Sequence, residues 1–239
     1  MENLCRKNIL ITGCTGSIGS AIFDNLVSNT HNNNIYITGR NRDKIIKLTK
    51  NGFKNNNQIF SGNFDLKETN NIQSLISDVR DKLKSVDILI NCAGVFSPKK
   101  IELIDNDEII ETLYVNFASA YILSREFIKE MKEKNWGRIV NVGSSSAYYG
   151  FKNNTLYSST KHALLGFSKS LHDEVKNCGV RVSCLSPSST KGEMGKKTPN
   201  QNYETFLEPN EVAEFILFVI NFNKNLTIED VLLKRMEIS

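Results

Sequence analysis

Short apolar runs alternate with longer segments of helical periodicity along most of this sequence. The runs are Ile9–Ile11, Ile35–Ile37, Ile88–Ile90, Ile139–Val142 and Val180–Val182. The first, third and fourth are almost continuously apolar, which is typical of strands buried on both faces. We predict helices in the segments between the runs, at 18–28, 41–50, 68–84, 107–134 and 158–177. This alternation predicts an α/β fold, in which a parallel sheet carries helices on both faces through right-handed connections.

The length of the chain and the continuity of the pattern indicate one domain. The chain has 239 residues, which is about the size of one large α/β domain. No linker or internal repeat interrupts it, so the predicted domain covers residues 1–239. Residues 188–206 depart from the pattern because they are polar and rich in Gly, Lys and Asn. Long loops of this kind often cover a site, and we expect a substrate lid here.

The charge and cysteine content argue against several classes of partner. The net charge is only +4, and the lysines are interleaved with acids, which is typical of solvated helix faces rather than of a nucleic-acid surface. Five cysteines without CxxC spacing and only three histidines argue against a metal site and for reduced thiols. No segment approaches the about 20 apolar residues that span a bilayer. We expect a cytoplasmic protein without a metal, nucleic-acid or membrane partner.

A glycine-rich turn, Thr12–Gly19, separates the first strand from the first helix. Its glycines, Gly13, Gly16 and Gly19, permit a tight turn and let the backbone approach a pyrophosphate. The phosphate charge would then lie at the N-terminus of the helix. This position between strand and helix predicts a dinucleotide site.

The end of the second strand indicates which dinucleotide binds. NAD enzymes place an acid there for the ribose hydroxyl, but here Gly39 is followed by Arg40, Asn41 and Arg42. A guanidinium pairs well with phosphate, so the sequence favours the 2′-phosphate of NADP. Asp65 follows a further strand that we expect between Ile35–Ile37 and Ile88–Ile90, and it is placed to face the adenine edge. The alternatives are surface arginines at a helix start and an aspartate that only forms a turn.

Three polar features follow the ends of later strands, where doubly wound sheets bind ligands. Asn91–Gly94 follows the strand at Ile88–Ile90, Ser144 follows the strand at Ile139–Val142, and Tyr157 with Lys161 opens the next helix. Residues four apart share one helix face. A neighbouring ammonium stabilises a phenolate, which would make Tyr157 a usable acid and base near neutral pH.

Together these motifs, with Asn116 in a predicted helix, resemble the short-chain dehydrogenase/reductase family over essentially the whole chain. The resemblance implies a Rossmann-type sheet of about seven strands in the order 3-2-1-4-5-6-7. It also implies NADP(H)-dependent carbonyl reduction and assembly into a dimer or tetramer. Apolar positions such as Phe127, Phe167 and Leu171 would then pair across subunits; the alternative is that they are internal core.

The resemblance also implies a role for each site residue. Tyr157 would protonate the carbonyl oxygen, and Lys161 would bind the nicotinamide ribose and tune Tyr157. Ser144 would hydrogen-bond the substrate oxygen, while Asn116 would hold a water that links Lys161 to solvent. The coenzyme-binding residues would be Gly13, Thr15, Gly16, Ser17, Ile18, Gly19, Arg40, Asp65, Asn91, Ala93, Gly94, Tyr157, Lys161, Pro187 and Thr190.

Some positions depart from the family pattern or admit other interpretations. Ser188 follows Pro187 where the family usually has glycine, and Gly192 stands where it usually has a threonine near the carboxamide. Cys14 in the glycine-rich turn is either an activated thiol at a helix N-terminus or a small packed residue. The competing functions are an idle dinucleotide-binding sensor or scaffold and an NAD-linked alcohol or sugar dehydrogenase. The substrate stays open among acyl thioesters, sugars, steroids and quinones.

Overall fold

The computed structural model describes residues 4–236, and its strands form one parallel sheet. The strand order is β3-β2-β1-β4-β5-β6-β7, which confirms the predicted fold class and order. The direction of winding reverses between β1 and β4, so this is the switch point of the sheet. The strands are β1 Asn8–Thr12, β2 Asn34–Gly39, β3 Gln58–Asn63, β4 Ile88–Asn91, β5 Gly137–Val142, β6 Val180–Pro187 and β7 Asp230–Leu233.

Helices follow most of the strands, close to their predicted positions. The predicted helix at 107–134 is in fact two α-helices joined by a π-helical turn at Tyr114–Ala118. Such turns occur mostly as single insertions in α-helices, often near functional sites, and this one contains Asn116. The helices are α1 Ser17–Asn29, α2 Arg42–Asn51, α3 Thr69–Leu83, α4 Asn106–Leu113, α5 Ser119–Glu133, α6 Thr155–Val175 and α7 Pro209–Asn221. Within the described part of the chain, no helix combines the length and apolarity needed to cross a membrane.

Both faces of the sheet are covered by buried side chains. Ile9 and Ile11 pack on one face with Phe23 of α1 and Ile216 of α7, whereas Leu10 belongs to the cluster on the other face. This alternation follows from the two-residue period of a strand. It explains why β1 is apolar at successive positions, as predicted for a strand buried on both sides.

The expectation that Phe127 pairs across subunits is wrong. Phe127 of α5 is fully buried in the cluster that also holds Leu10 and Met131. It is therefore internal core and is not available for pairing between subunits. Phe167 and Leu171 of α6 are only partly buried.

Candidate active site

A cleft of about 1040 Å³ opens at the carboxyl ends of the strands, across the switch point. Its volume is at the upper end of the range typical for small-molecule and cofactor sites. Every predicted coenzyme-binding residue except Asn91 lines it. Those residues are Gly13, Thr15, Gly16, Ser17, Ile18, Gly19, Arg40, Asp65, Ala93, Gly94, Tyr157, Lys161, Pro187 and Thr190.

The glycine-rich turn is packed so closely that two of its glycines cannot carry a side chain. Gly13 has φ +68°, and a Cβ there would lie 2.6 Å from the Cα of Ala93. A Cβ on Gly19 would lie 2.3 Å from the carbonyl oxygen of Gly13. The side chain of Thr12 holds the neighbouring segment in place, since its Oγ1 accepts hydrogen bonds from the backbone N–H groups of Cys92 and Ala93, both 3.2 Å.

The N-terminus of α1 faces this turn without a capping side chain. Gly16 is the N-cap residue, and the first helical turn contains no acid. The first N–H groups of a helix lack partners within the helix, and the helix dipole makes this end positive. The turn can therefore receive an anionic group such as a pyrophosphate.

The wall beyond β2 carries the predicted phosphate-binding arginine and a lysine that sequence reasoning missed. Arg40 and Lys44 both line the cleft, but Arg42 does not. Thr38 also lines it, and its Oγ1 is buried without a hydrogen-bond partner. A basic pair next to an unpaired hydroxyl suits a phosphorylated ribose.

The contacts of Asp65 agree both with a turn-forming aspartate and with a residue at the adenine end of the cleft. Its Oδ1 accepts a hydrogen bond from the backbone N–H of Lys67 at 3.2 Å, as a turn-forming aspartate does. The residue also lines the cleft, beside Phe64 and Leu66. Its predicted place at the adenine end is thus compatible with the structure.

The side chains of Tyr157 and Lys161 meet at the start of α6, as their spacing predicts. Lys161 is 4% exposed, and its Nζ donates a hydrogen bond of 2.8 Å to the carbonyl oxygen of Val142. The same ammonium lies 5.7 Å from the centroid of the Tyr157 ring. The Phe96 ring packs edge-on against Tyr157 with 4.8 Å between centroids. Lys161 forms no ion pair with an acid among the described residues.

Ser144 lies where β5 ends and lines the same part of the cleft. Its Oγ accepts a hydrogen bond from the backbone N–H of Ser146 at 3.1 Å and so caps a short 3₁₀ turn, Ser145–Ala147. A hydroxyl both donates and accepts. Its proton therefore remains available for a ligand oxygen.

Asn116 and Asn91 are buried behind the cleft rather than in its wall. The amide of Asn116 accepts a hydrogen bond from the N–H of Val95 (2.8 Å) and donates to its carbonyl oxygen (3.0 Å). It also donates to Thr160 of α6 at 3.2 Å. Asn116 therefore fixes the segment before Phe96 against α6, and its water-holding role stays a prediction.

Asn91 has a comparable internal partner. Its Nδ2 donates to Oδ1 of Asn141 at 2.8 Å, and Asn141 in turn donates to Ser168 at 2.9 Å. The Asn91 side chain joins β4, β5 and α6, and the residue is absent from the cleft lining. Its coenzyme contact stays a prediction.

The loop predicted as a lid lies along the cleft. Residues 188–195 and 197–201 line it. A Cβ on Gly192, which has φ +139°, would lie 1.9 Å from Oγ of Ser17. The loop therefore contacts the glycine-rich turn directly, and the positive φ favours glycine at 192.

The cysteine in the glycine-rich turn is packed rather than activated. Cys14 is fully buried, and burial, with a smaller contribution from Cys92, raises the pKa of its thiol to about 12. A thiol of this kind is protonated at neutral pH and inert. The packed interpretation is therefore the correct one.

The fold and the cleft together define a Rossmann-type nucleotide-binding protein. The family model described as short chain dehydrogenase matches residues 7–203. The chain belongs to the short-chain dehydrogenase family of oxidoreductases.

Curated relatives extend over nearly the whole chain. The 3-oxoacyl-(acyl-carrier-protein) reductase of Rickettsia typhi is 32% identical over 228 residues, which cover 92% of this chain and 91% of the relative. The corresponding reductase of Buchnera aphidicola (subsp. Acyrthosiphon pisum) is 30% identical over 231 residues, 91% of each chain.

Solved structures have the same architecture at lower identity. A metagenomic short-chain oxidoreductase in complex with NADP has a TM-score of 0.84 and 22% identity, covering 98% of this chain and 99% of its own. An alcohol dehydrogenase from Thermococcus sibiricus, complexed with 5-hydroxy-NADP, has a TM-score of 0.86 and 21% identity, covering 97% of both chains. These two likenesses support the fold.

Proposed function

We propose that the protein is an NADP(H)-dependent carbonyl reductase in which Tyr157 is the general acid and base. The observation that carries the proposal is the convergence of Tyr157, Lys161 and Ser144 on one cleft, beside a turn built to receive a pyrophosphate. The relatives named as 3-oxoacyl-(acyl-carrier-protein) reductases and the NADP-bound structural neighbours support the same assignment.

The residues present fit NADP(H). The uncapped N-terminus of α1, with the close-packed Gly13 and Gly19, offers backbone N–H groups to the pyrophosphate. Arg40 and Lys44 supply positive charge for the 2′-phosphate, and the end of β2, at Gly39 and Arg40, lacks the acid that selects NAD. When bound, NADPH supplies the hydride that the reaction needs.

The chain's own residues supply the proton and stabilise the charges. Tyr157 donates its phenolic proton to the carbonyl oxygen of the substrate as that oxygen gains electron density. The buried ammonium of Lys161, held by the carbonyl of Val142, stabilises the resulting phenolate. Ser144 donates its hydroxyl proton in a hydrogen bond to the same substrate oxygen.

A purely sensory or scaffolding role does not explain this arrangement. Such a role needs the glycine-rich turn and Arg40, but not a buried ammonium next to a tyrosine. Burying an unpaired charge is costly. Lys161 is retained in its buried position because, on this proposal, it acts on Tyr157.

A 3-oxoacyl thioester is the substrate class that we place first, because the similar curated reductases of Rickettsia typhi and Buchnera aphidicola are named for it. The lining of the cleft includes apolar side chains: Phe96, which packs against Tyr157, and Phe151 and Met194. An acyl chain can bury its methylenes against these side chains at about 0.8 kcal/mol each. A polar sugar would gain less from this wall.

We further propose a cytoplasmic homodimer or homotetramer. All five cysteines lie in the described region and are unpaired, in keeping with a reducing compartment. Phe117, Tyr121 and Phe167 form a ring cluster on α5, α6 and the π turn, with Tyr121 46% exposed. Phe117 and Phe167 are partly buried, and a partly exposed aromatic cluster of this kind is typical of an interface.

The test is a panel of carbonyl compounds with the purified protein, followed by the loss of NADPH absorbance. The panel contains a 3-oxoacyl thioester, a ketose, a steroid ketone and a quinone, each with NADPH and with NADH. We expect turnover of at least one carbonyl, and faster with NADPH. Absence of turnover across the panel, with NADPH bound, would favour the sensor.

A further inference from the structure

One carboxylate reaches across the cleft to the predicted phosphate-binding arginine. Oε1 of Glu111, on α4, lies 3.2 Å from Nη1 of Arg40, and both residues line the cleft. The two are 71 positions apart in the chain. Among the acids of α4 that line the cleft, Glu108 instead pairs with Lys99 at 2.5 Å.

The guanidinium of Arg40, which a 2′-phosphate would need, is already paired with the carboxylate of Glu111. A guanidinium has five N–H donors, so phosphate can approach Arg40 while Glu111 stays in place, but the two anions would then repel each other. Otherwise the carboxylate must release Arg40 before the phosphate can bind. In both cases Glu111 opposes the binding of a dianion.

The same carboxylate does not oppose the coenzyme that lacks this phosphate. NAD enzymes bind the ribose 2′-hydroxyl with an acid at the end of the second strand. Glu111 brings a carboxylate to the same neighbourhood from α4. It accepts hydrogen bonds and therefore tolerates a hydroxyl better than a phosphate.

We propose that Glu111 is a specificity-determining residue that weakens NADP(H) binding by competing for Arg40, and so limits the preference over NAD(H). The inference rests on the proposed NADP(H) dependence. Both side chains are partly exposed, 53% for Arg40 and 39% for Glu111. Exposed pairs are weak, so the effect of Glu111 is about two- to fivefold in the dissociation constant.

The experiment is a calorimetric titration with 2′,5′-ADP and with 5′-AMP, which tests the coenzyme end without any carbonyl substrate. We expect Glu111→Gln to bind 2′,5′-ADP about two- to fivefold more tightly than the wild type, with 5′-AMP not bound more tightly. The gain should shrink at high salt, because the charges are exposed. Glu108→Gln, which removes a carboxylate from the same cleft, should change neither titration.

The same titrations distinguish a Glu111 that competes for Arg40 from a Glu111 that positions Arg40. Weaker binding of 2′,5′-ADP by Glu111→Gln would mean that Glu111 positions Arg40, and this result or an unchanged constant would overturn the inference. In the Arg40→Ala background the Glu111→Gln gain should largely vanish, and an undiminished gain would contradict competition for Arg40.

If the wild type binds both nucleotides equally, the NADP(H) proposal itself fails, and this inference fails with it. Thermal unfolding of each variant confirms that it is folded.

Discussion

Gly13→Ala tests how the glycine-rich turn is held against the segment that follows β4. The new methyl group would lie 2.6 Å from both Cα and N of Ala93, which are backbone atoms. Ala93 cannot move freely, since its N–H is bonded to Thr12. In addition, φ at this position is +68°. The substitution therefore combines a disfavoured backbone conformation with a steric overlap.

The two effects add to a measurable loss of stability. The left-handed conformation costs about 1–2 kcal/mol for a residue with a Cβ, and overpacking costs about 1–3 kcal/mol. The sum is a decrease of about 2–5 kcal/mol in the free energy of unfolding. For a domain of this size, 1 kcal/mol lowers Tm by about 2–4 °C, so we expect a decrease of about 4–20 °C.

Thermal unfolding followed by circular dichroism measures this decrease. Gly166→Ala is the matched control, because Gly166 lies in α6 and a Cβ there meets nothing within 4 Å. It should raise the stability by about 0.5–1 kcal/mol, since alanine is the better helix former. If Gly13→Ala melts within about 2 °C of the wild type, the close approach of the two segments is refuted.

Three further predictions concern the coenzyme, the loop and assembly. Arg40→Ala should lower the NADPH-over-NADH ratio of kcat/KM by about tenfold, because one charge-assisted hydrogen bond at a half-exposed site is lost. Arg42→Ala should leave the ratio unchanged, and equal effects of the two substitutions would contradict the assignment of Arg40 as the phosphate-binding arginine. Amide hydrogen exchange within 188–206 should slow when NADPH binds, and unchanged exchange would exclude a closing lid. Sedimentation should show a dimer or tetramer for the wild type and monomer for Phe167→Glu, while a wild-type monomer at micromolar concentration would exclude the interface.

The periodicity of the chain predicted β1, β2, β4, β5 and β6, because buried parallel strands leave a strong apolar pattern. The strand β3 is partly exposed and has no such run, and the strand order was implied by the family resemblance. The positions of Tyr157, Lys161 and Ser144 followed from the rule that strand ends meet at one edge of the sheet. Boundaries were less accurate: α6 begins at Thr155, three residues before the predicted start at 158. The π turn has no local sequence signal and was missed.

What depends on distances between separate elements could not be predicted. The contact of Arg40 with Glu111 joins residues 71 positions apart, and no spacing in the sequence reveals it. Lys44 lines the cleft and Arg42 does not, although both are basic residues at the start of α2. Phe127 belongs to the core. The sequence did not reveal this, because the apolar face of a helix has the same pattern whether it packs within its own subunit or against another.

The most direct test of the central claim is Tyr157→Phe, which removes the phenolic oxygen and keeps the ring against Phe96. We expect kcat for carbonyl reduction to fall by about 10²- to 10⁴-fold, because a general acid is lost, while the dissociation constant of NADPH stays within about twofold. Tyr149→Phe, whose ring does not line the cleft, serves as the control and should keep full activity. A Tyr157→Phe enzyme that retains more than about a tenth of the wild-type kcat would contradict the assignment of Tyr157 as the acid.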